Sequence, residues 1–480
     1  MKTIKNFIYN SAYQILALLI PLITTPYLSR TIGPGGIGEY SYAYSIAYFF
    51  SMFIILGLNN YGSRTIAILQ NNKEKLSKNF CSIYTMQLFC GLIGISAYVL
   101  YSLTLSHNRM ISFILLAYII SEILDINWFF FGIEKFKLTV VRNSVIKLLS
   151  TLSIFLFVNS KEDVYIYSFI MAFSFLISQL AIWPFLTKEI KFIRPSLKEV
   201  LTHIKPNLIL FIPIIAVSIY KYMDKIMLGS LTNVAEVGFF DSAERLINVP
   251  IALVNALGVI MIPRMSNIVA LNNKIEGQRI IYISILFVLF LSSSLSFGIM
   301  GTADLFVPLF FGEGFEKCII LLLILLPSCL FLAFANVIRT QYLIPMRKDN
   351  IYIISVFVGA LVNLIINGLL IPIFQSAGSA IGTLCAEISV CSLQAFFVRR
   401  ELPIGKYIKI SMPFIISGII MFLIINGIQL PIQSRLILLI TKICIGIMVY
   451  FISLGIQFYV FKDNYQYLIE LTKRMLVPKK

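Results

Sequence analysis

Long apolar runs recur along the whole 480-residue chain and set its architecture. Each run is about 20 residues long, which lets a helix cross a hydrocarbon core about 30 Å thick. The connections are short, and the longest extends from about Lys188 to Lys205. The pattern predicts an all-α integral membrane protein of about fourteen transmembrane helices. We expect the helices at 8–28, 41–61, 80–103, 110–131, 143–159, 164–187, 204–228, 239–262, 280–301, 318–339, 351–372, 377–398, 408–428 and 436–461.

The composition agrees with this pattern. Hydrophobic residues make up 59% of the chain and charged residues 13%, and the mean hydropathy is +0.89. A soluble domain of this size needs far more charge on its surface. The short connections leave no room for a soluble catalytic domain, so we expect a protein that is not an enzyme.

Basic residues are concentrated in alternate connections. If the N-terminus is cytoplasmic, 29 of the 39 Lys and Arg residues fall in inner loops and tails. This distribution follows the positive-inside rule. It accounts for the net charge of +17 without nucleic acid as a partner.

A weak internal repeat is offset by 200 residues. It pairs Leu28 with Leu228, Gly38 with Gly238, Ala43 with Ala243 and Arg64 with Arg264. A repeat unit of six helices is even, so both copies start on the same side of the membrane. We therefore expect helices 1–6 to superpose on helices 7–12 by rotation about the membrane normal, with helices 13 and 14 as additions.

Charges inside the predicted helices are the strongest candidates for function. Each costs about 3 kcal/mol at the bilayer centre unless it is paired or hydrated. Helices 7 and 8 carry such residues at the same i, i+3, i+4 spacing, which places them on one helix face. The set is Lys221, Asp224 and Lys225 on helix 7, Asp241, Glu244 and Arg245 on helix 8, Glu122 and Asp125 on helix 4, Lys147 on helix 5, Glu387 on helix 12 and Lys442 on helix 14.

Two interpretations of these charges remain open. They form structural ion pairs that hold helix 7 to helix 8 and helix 4 to helix 5, or they line a hydrated cavity for a charged head group and a coupling cation. Arg30 and Arg64 lie at helix ends, where they act as interfacial anchors or contact the substrate. Lys442 is close enough to a helix end to reach the interface.

Other sequence features favour turns, bends and packing over chemistry. The run from Gly33 to Gly38 is expected to form a tight turn and not a phosphate cradle. No nucleotide-binding GxxxxGK[ST] motif occurs, no metal site or cofactor is expected from His107, His203 or the seven cysteines, and no CxxC pair occurs. Prolines are expected to interrupt several helices, as in transporters, at Pro21, Pro26, Pro213, Pro250 and Pro327. Tyrosines that fit either an interfacial belt or a sugar-stacking surface are Tyr40, Tyr42, Tyr44 and Tyr48.

Several motifs resemble one family of membrane transporters. Residues 26–33 (PYLSRTIG) with 36–40 (GIGEY) resemble the first hairpin of the Wzx-type polysaccharide repeat-unit flippases, within the multidrug/oligosaccharidyl-lipid/polysaccharide exporter superfamily. Residues 224–229 (DKIMLG) with 237–240 (VGFF) resemble the second-lobe hairpin, although Phe240 stands where the family usually has Tyr. Further matches are at 57–64, 128–134 and 263–264.

The resemblance implies a MATE-like fold of two six-helix lobes around a central cavity, followed by two extra helices. The implied domains are residues 1–203, 204–402 and 403–480. The implied activity is translocation of an undecaprenyl-pyrophosphate-linked oligosaccharide across the bacterial cytoplasmic membrane by alternating access, with proton or sodium antiport as a driving force. Polysaccharide polymerase and export machinery are candidate partners.

The resemblance also suggests roles for the charged residues. Candidate contacts to the pyrophosphate or acidic sugars are Lys221, Lys225, Arg245, Arg30, Arg64 and Lys147. Candidates for charge balance or for a coupling proton are Asp125, Asp224, Glu122 and Glu387. The leading alternative function is a cation-coupled exporter of drugs or metabolites. A membrane polysaccharide polymerase is a third candidate, which the absence of a large outer loop disfavours.

The topology is directly testable. Both termini and the loops after helices 2, 4, 6, 8, 10 and 12 are expected in the cytoplasm. Single cysteines placed at Lys75 or Lys198 should therefore resist a membrane-impermeant thiol reagent in intact cells and react after permeabilisation. Efficient labelling in intact cells would reject this topology.

Overall fold

Helices are the only regular secondary structure in the part of the chain that the structure describes. The computed structural model describes the backbone of residues 2–460, and the side chains of that range apart from residues 2–15, 18 and 220. The α-helices are α1 Lys2–Thr31, α2 Gly33–Ile55, α3 Leu58–Leu69, α4 Lys73–Thr104, α5 Arg109–Ile123, α6 Asn127–Gly132, α7 Phe136–Phe157, α8 Val164–Leu180, α9 Trp183–Leu186, α10 Leu197–Thr202, α11 Ile204–Leu231, α12 Val234–Ala270, α13 Lys274–Phe311, α14 Lys317–Leu325, α15 Ser328–Ile338, α16 Asp349–Phe374, α17 Ser376–Val398, α18 Ile404–Gly427 and α19 Arg435–Val460. A π-helical turn, Arg339–Leu343, follows α15.

The predicted series of transmembrane helices is present. Within the described residues, thirteen helical segments are long and apolar enough to cross a membrane. The remaining predicted span, 8–28, lies in α1, which covers Lys2–Thr31. The all-α membrane architecture expected from hydropathy is therefore confirmed.

The chain divides into two compact units, the first ending at Ser242 and the second beginning at Ala243. In the first unit, α5 packs against α2, α4 and α8, α7 packs against α1 and α8, and α11 packs against α2. Its aromatic core is formed by Phe80, Trp128, Phe129 and Phe130, which are all fully buried. Trp128 packs over Gly62, where a larger residue would collide with the indole ring.

The second unit is organised around α13, which packs against α14, α15, α18 and α19. Predicted helices 13 and 14, now α18 and α19, therefore join the core of this unit. Phe297 of α13 lies against Gly418 of α18, and Tyr450 of α19 shares a 2.7 Å hydrogen bond with Ser293 of α13. Small residues let helix backbones approach closely, which is a main source of helix association in membranes.

Three helices predicted to be continuous are broken in the structure. Predicted helix 2 is divided between α2 and α3 at Leu56, whose φ is +51°. Predicted helix 4 is divided between α5 and α6, and predicted helix 6 between α8 and α9 at residues 181–182. Hydropathy does not report these breaks, because the residues at each break are themselves mostly apolar.

The expectation that prolines interrupt helices is wrong at four of five positions. Only Pro327 separates two helices, whereas the other four lie inside continuous helices: Pro21 and Pro26 in α1, Pro213 in α11 and Pro250 in α12. A proline removes one helix hydrogen bond, but transmembrane helices tolerate this when another group satisfies the freed carbonyl. At Pro21 that carbonyl belongs to Ala17, and it accepts from Lys147 Nζ at 3.5 Å.

The starts of α2 and α12 cross with reciprocal contacts. A Cβ added at Gly38 would overlap the Val234 carbonyl oxygen, and one added at Gly238 would overlap the Pro34 carbonyl oxygen. Both pairs of partners are related by the 200-residue offset, so the two contacts are the same contact with the two segments exchanged. Such reciprocity is what a local two-fold axis produces. The expectation of a tight turn over residues 33–38 is wrong, because these residues form the start of α2 and only Ile32 lies between α1 and α2. The backbone departs from regular helix geometry at Gly33, where φ is +66°.

The crossing predicts which glycines tolerate a methyl group. Gly38→Ala and Gly238→Ala should each destabilise the protein by about 1–3 kcal/mol, the usual cost of forcing an atom into a packed contact. Gly35→Ala is the matched control, since nothing lies within 4 Å of its added Cβ. Thermal unfolding in detergent, followed by fluorescence-detected gel filtration, checks this. Equal losses at all three positions would contradict the crossing.

Candidate functional site

A buried ion pair lies beside the helix crossing. Lys225 Nζ of α11 is 2.6 Å from Asp241 Oδ1 of α12, and Ser41 Oγ of α2 donates to the same oxygen at 2.9 Å. Lys225 is 8% exposed, and Asp241 and Ser41 are each 5% exposed. Ser41 and Asp241 are also related by the 200-residue offset, and each lies three residues after its crossing glycine. The cluster therefore links three helices at the crossing.

One of the charged groups on predicted helices 7 and 8 has a close partner on the other helix. The predicted ion pair between these helices is present, formed by Lys225 and Asp241. A lone buried charge is costly, and a close partner with an extra hydrogen bond offsets much of that cost. In this conformation the ammonium group of Lys225 is therefore paired with the Asp241 carboxylate. Asp224 is also buried, at 4% exposure.

Lys221 lies one helical turn before Lys225 and has a different environment. Its side chain is exposed, and its Nζ lies 5.4 Å from the ring centroid of Tyr222. Tyr222 stacks on Tyr48 of α2 with centroids 4.0 Å apart. The same aromatic group continues to Tyr44, which is 5.1 Å from Tyr118 of α5. A basic side chain and a group of tyrosines therefore share one region of the first unit.

The remaining predicted basic residues are spread over the chain. Arg245 is half-buried on α12 and lies within the second unit. Arg30 is exposed at the end of α1, where its Nη1 donates to the Pro26 carbonyl at 2.9 Å, and Arg64 is exposed on α3. Lys147 contacts the Ala17 carbonyl, as described above. Basic groups near the end of a helix often cap its last carbonyls, which fits Arg30.

Glu122 and Asp125 lie at the break between α5 and α6. Asp125 Oδ1 accepts from the Asn127 backbone N–H at 2.7 Å, which satisfies the first N–H of α6. Lys147 Nζ donates to the Ala17 carbonyl, so Lys147 does not supply an ion pair to Asp125 in this conformation. Glu387, the predicted acid of the second unit, is buried at 6% exposure on α17.

Sequence analysis missed several polar residues that organise the first unit. Gln87 of α4 is fully buried, and its Nε2 donates to the carbonyls of Glu122 and Asp125 at 2.9 Å each. Its Oε1 accepts from Trp128 Nε1 at 3.1 Å. Gln87 therefore satisfies the backbone groups that the helix break exposes. A single uncharged polar residue within an apolar run gives no pattern from which this role could be predicted. Ser41 could have been found, because the 200-residue offset pairs it with Asp241.

The family described as polysaccharide biosynthesis protein matches residues 3–269 of this chain. The match covers more than half of the chain and includes the hairpins that form the crossing. This chain belongs to the polysaccharide biosynthesis protein family. Membership agrees with the multi-pass helical architecture and with the motifs of both hairpins.

Similar proteins support the same family. A protein of Escherichia coli (strain K12) described as "Putative O-antigen transporter" is 26% identical over 404 residues, covering 83% of this chain and 97% of the relative. A Shigella dysenteriae protein of the same description is 22% identical over 383 residues, covering 78% of this chain and 94% of the relative.

Solved structures of transporters share the fold. The lipid II flippase MurJ in an inward closed conformation has a TM-score of 0.73 at 16% identity, covering 95% of this chain and 99% of that chain. An inward-facing multidrug resistance MATE family transporter has a TM-score of 0.59 at 13% identity, covering 83% and 96%. The predicted MATE-like fold is therefore confirmed. Family and fold indicate a membrane transporter and not a catalytic enzyme.

The ion pair predicts a difference between two neighbouring lysines. Lys225→Ala should reduce stability by ~3–5 kcal/mol, because Asp241 is left as an uncompensated buried charge. Lys225→Met combined with Asp241→Leu should restore most of that loss, since a packed apolar pair replaces the buried charges. Thermal unfolding of purified protein measures both effects.

Lys221→Ala is the matched control, because it removes an exposed lysine one turn away on the same helix. It should leave the unfolding temperature near that of the unmodified protein. If Lys225→Ala and Lys221→Ala unfold at the same temperature, the buried pair does not stabilise the fold.

Proposed function

We propose that the protein is a flippase that moves an undecaprenyl-pyrophosphate-linked oligosaccharide repeat unit across the cytoplasmic membrane for O-antigen, capsule or exopolysaccharide synthesis. Family membership and relatives described as O-antigen transporters support this function. The fold, which is shared with a flippase of lipid II, is compatible with it. Both observations favour a lipid-linked saccharide over a small soluble solute.

The observation that carries the proposal is the association of Lys221 with the tyrosine group. The face of a sugar ring is apolar and packs well on a flat aromatic ring, and a basic side chain attracts a phosphate. Tyr222, Tyr48 and Tyr44 supply the rings, and Lys221 supplies the charge at one end. The polyprenyl tail needs no such site, because it remains in the lipid phase.

The crossing of α2 with α12 suggests how outward passage is controlled. Alternating access requires contacts that close one side of the membrane and separate when that side opens. In our proposal the Gly38–Gly238 crossing and the Lys225–Asp241–Ser41 cluster are the closed contacts on the outer side. Lys225 then meets the substrate only after its pair with Asp241 has separated.

The other charged residues receive roles within this proposal. Lys221 and Arg245 contact the pyrophosphate or acidic sugars, with smaller contributions from Arg30, Arg64 and Lys147. Four acidic residues balance these charges or carry a coupling proton or sodium ion. They are Asp125, Asp224, Glu122 and Glu387. The burial of Asp224 and Glu387 supports the assignment, because an acid inside a membrane helix usually has a partner or a functional task.

The topology and the domain boundaries belong to the same proposal. Both termini are cytoplasmic, residues 1–203 and 204–402 form two six-helix repeats, and residues 403–480 add two helices and a cytoplasmic tail. The positive-inside distribution supports the orientation. The reciprocal contacts of Gly38 and Gly238 support parallel repeats. Polymerase and export machinery would receive the flipped repeat unit.

A cation-coupled exporter of drugs or metabolites is the second candidate, because multidrug transporters share the fold. Its central site would need apolar and acidic groups for cationic drugs. The basic Lys221 beside the tyrosines favours the lipid-linked substrate instead. The two functions differ in what accumulates when the protein is lost.

The proposed function predicts where a substrate collects. A strain without this protein should accumulate complete lipid-linked repeat units on the inner leaflet, measured by lipid extraction and by protection from an external glycosidase. Lys221→Ala should lower export at least tenfold at normal protein level, since a lost hydrogen bond to a charged group costs about 1.5–3 kcal/mol. Lys221→Arg should restore most of the export.

The control for this experiment is Lys161→Ala, which removes an exposed lysine from the short helical turn before α8. It should leave export unchanged. Normal export by Lys221→Ala would place the head-group site elsewhere. Loss of drug resistance with no accumulation of lipid-linked sugar would support the exporter instead.

A further inference from the structure

The break between α2 and α3 divides a segment whose sequence favours one continuous helix. α2 ends at Ile55 and α3 begins at Leu58, inside the run 41–61 that hydropathy predicts as a single span. No proline occurs anywhere in residues 35–69. Gly57 alone weakens a helix without forcing it to break. The cause of the break therefore lies in the surroundings of the segment.

Leu56, at the break, has a strained backbone. Its φ is +51° and its ψ is −128°, a region open to glycine and sparsely populated by residues that have a Cβ. Its side chain is buried beside Met52 and Phe211. Residues in such regions persist only where the surrounding structure holds them, and they concentrate at sites that change conformation. The strain at Leu56 therefore points to contacts that hold the break in place.

The start of α3 lacks a cap. Gly57 is its N-cap residue, and no side chain among those described caps it. The first N–H groups of a helix have no partner within that helix. In the hydrocarbon region water does not replace the missing partners, so each such group is costly. A continuous helix from α2 into α3 would supply a carbonyl to each of them.

The first turns of α11 pack against the break. A Cβ added at Gly57 would lie 2.5 Å from the Asn207 carbonyl oxygen and 2.9 Å from Leu210 Cβ, so no side chain fits there. One turn further along α3, the Tyr61 hydroxyl and His203 Nδ1 share a hydrogen bond of 2.6 Å. His203, Asn207 and Leu210 are four and three residues apart, which places them on one helix face. This face holds α3 in its broken position.

The Asn207 side chain is buried without a hydrogen bond. It is 0% exposed, and neither Oδ1 nor Nδ2 has a partner in the part of the chain that the structure describes. Its Oδ1 lies 3.0 Å from the position of a Cβ added at Gly57, so the amide faces the break. A buried amide without a partner is rare and reduces stability. Three unfavourable features therefore meet at one place: the Leu56 backbone, the uncapped start of α3 and this amide.

We propose that the α2–α3 break is a hinge that straightens in a second conformation of the protein. In the broken form, contacts with α11 outweigh the unfavourable features at the break. In the straight form, α2 and α3 form one helix, Leu56 returns to helical backbone and the N–H groups of α3 gain carbonyl partners. Two forms that differ little in free energy are what a conformational switch requires.

Straightening acts on one side of the protein. The hydrogen bond between Tyr61 and His203 breaks, and α3 moves away from the start of α11. The positive-inside distribution predicts both segments near the cytoplasmic side. The contact between Tyr48 and Tyr222 lies before the break along α2. The hinge therefore opens or closes a gap between α3 and α11 on the predicted cytoplasmic side, and the inference does not depend on which substrate is transported.

The experiment measures the distance between α3 and α11 in the full-length protein. Spin labels are attached through Ile68→Cys and Lys205→Cys, at two exposed positions, after the native cysteines are changed to alanine. Each variant is first shown to be monodisperse by gel filtration. Double electron–electron resonance in nanodiscs then gives the populations at short and long distance. The broken form has the shorter distance.

Substitutions at Leu56 should shift these populations in opposite directions. Leu56→Gly should favour the broken form on the order of tenfold, because glycine removes the backbone strain. Leu56→Val should favour the straight form severalfold, because a β-branched residue fits a positive φ least well. Leu56→Val combined with Tyr61→Phe, which removes the hydrogen bond to His203, should make the straight form the major population.

The matched control is Leu58→Val, which makes the same change in a residue that is helical in both forms. It should leave the populations unchanged. An equal shift in Leu58→Val would show general loosening of the packing and overturn the proposal. One unchanged distance in the unmodified protein, in Leu56→Gly and in the double variant would show a fixed kink and also overturn it. Because the readout is a distance and not export, the result holds whether or not the proposed transport function is correct.

Discussion

The cost of burying charge among apolar helices governs the first unit of this protein. Lys225 and Asp241 are buried where a lone charge would be strongly unfavourable, and each offsets much of the other's desolvation cost. Their pairing requires α11 and α12 to approach closely, and Ser41 brings α2 to the same point. That approach is possible only because Gly38 and Gly238 have no side chains. One electrostatic requirement therefore explains the position of three helices.

Sequence patterns predicted the features of the fold that arise from long apolar runs or from the spacing of residues on one helix face. Hydropathy located the membrane helices, and the i, i+3, i+4 spacing placed the charges of helices 7 and 8 each on one helix face, where an ion pair between the helices was one of two interpretations. The break at Asp125 was missed because it depends on Gln87, which is distant in sequence and satisfies the exposed carbonyls. The proline expectation failed at Pro21 for the same reason, since Lys147 of another helix compensates.

The same physics explains why neighbouring lysines differ. Lys221 and Lys225 are four residues apart on α11, and sequence analysis treated them as equivalent. The structure gives Lys225 a carboxylate and Lys221 an aromatic neighbour with exposure to solvent. A tight ion pair stabilises one conformation, whereas an exposed lysine remains available to a ligand. Burial and partners, which no spacing rule reports, therefore separate a structural charge from a candidate binding charge.

Charge pairing also determines when the helix crossing can open. Lys225 pairs with Asp241, and Ser41 donates to the same carboxylate oxygen. A paired charge of this kind favours a closed contact between helices, because separating the partners leaves each as an uncompensated charge among apolar side chains. The helices therefore separate only if water or another charged group replaces one of the partners.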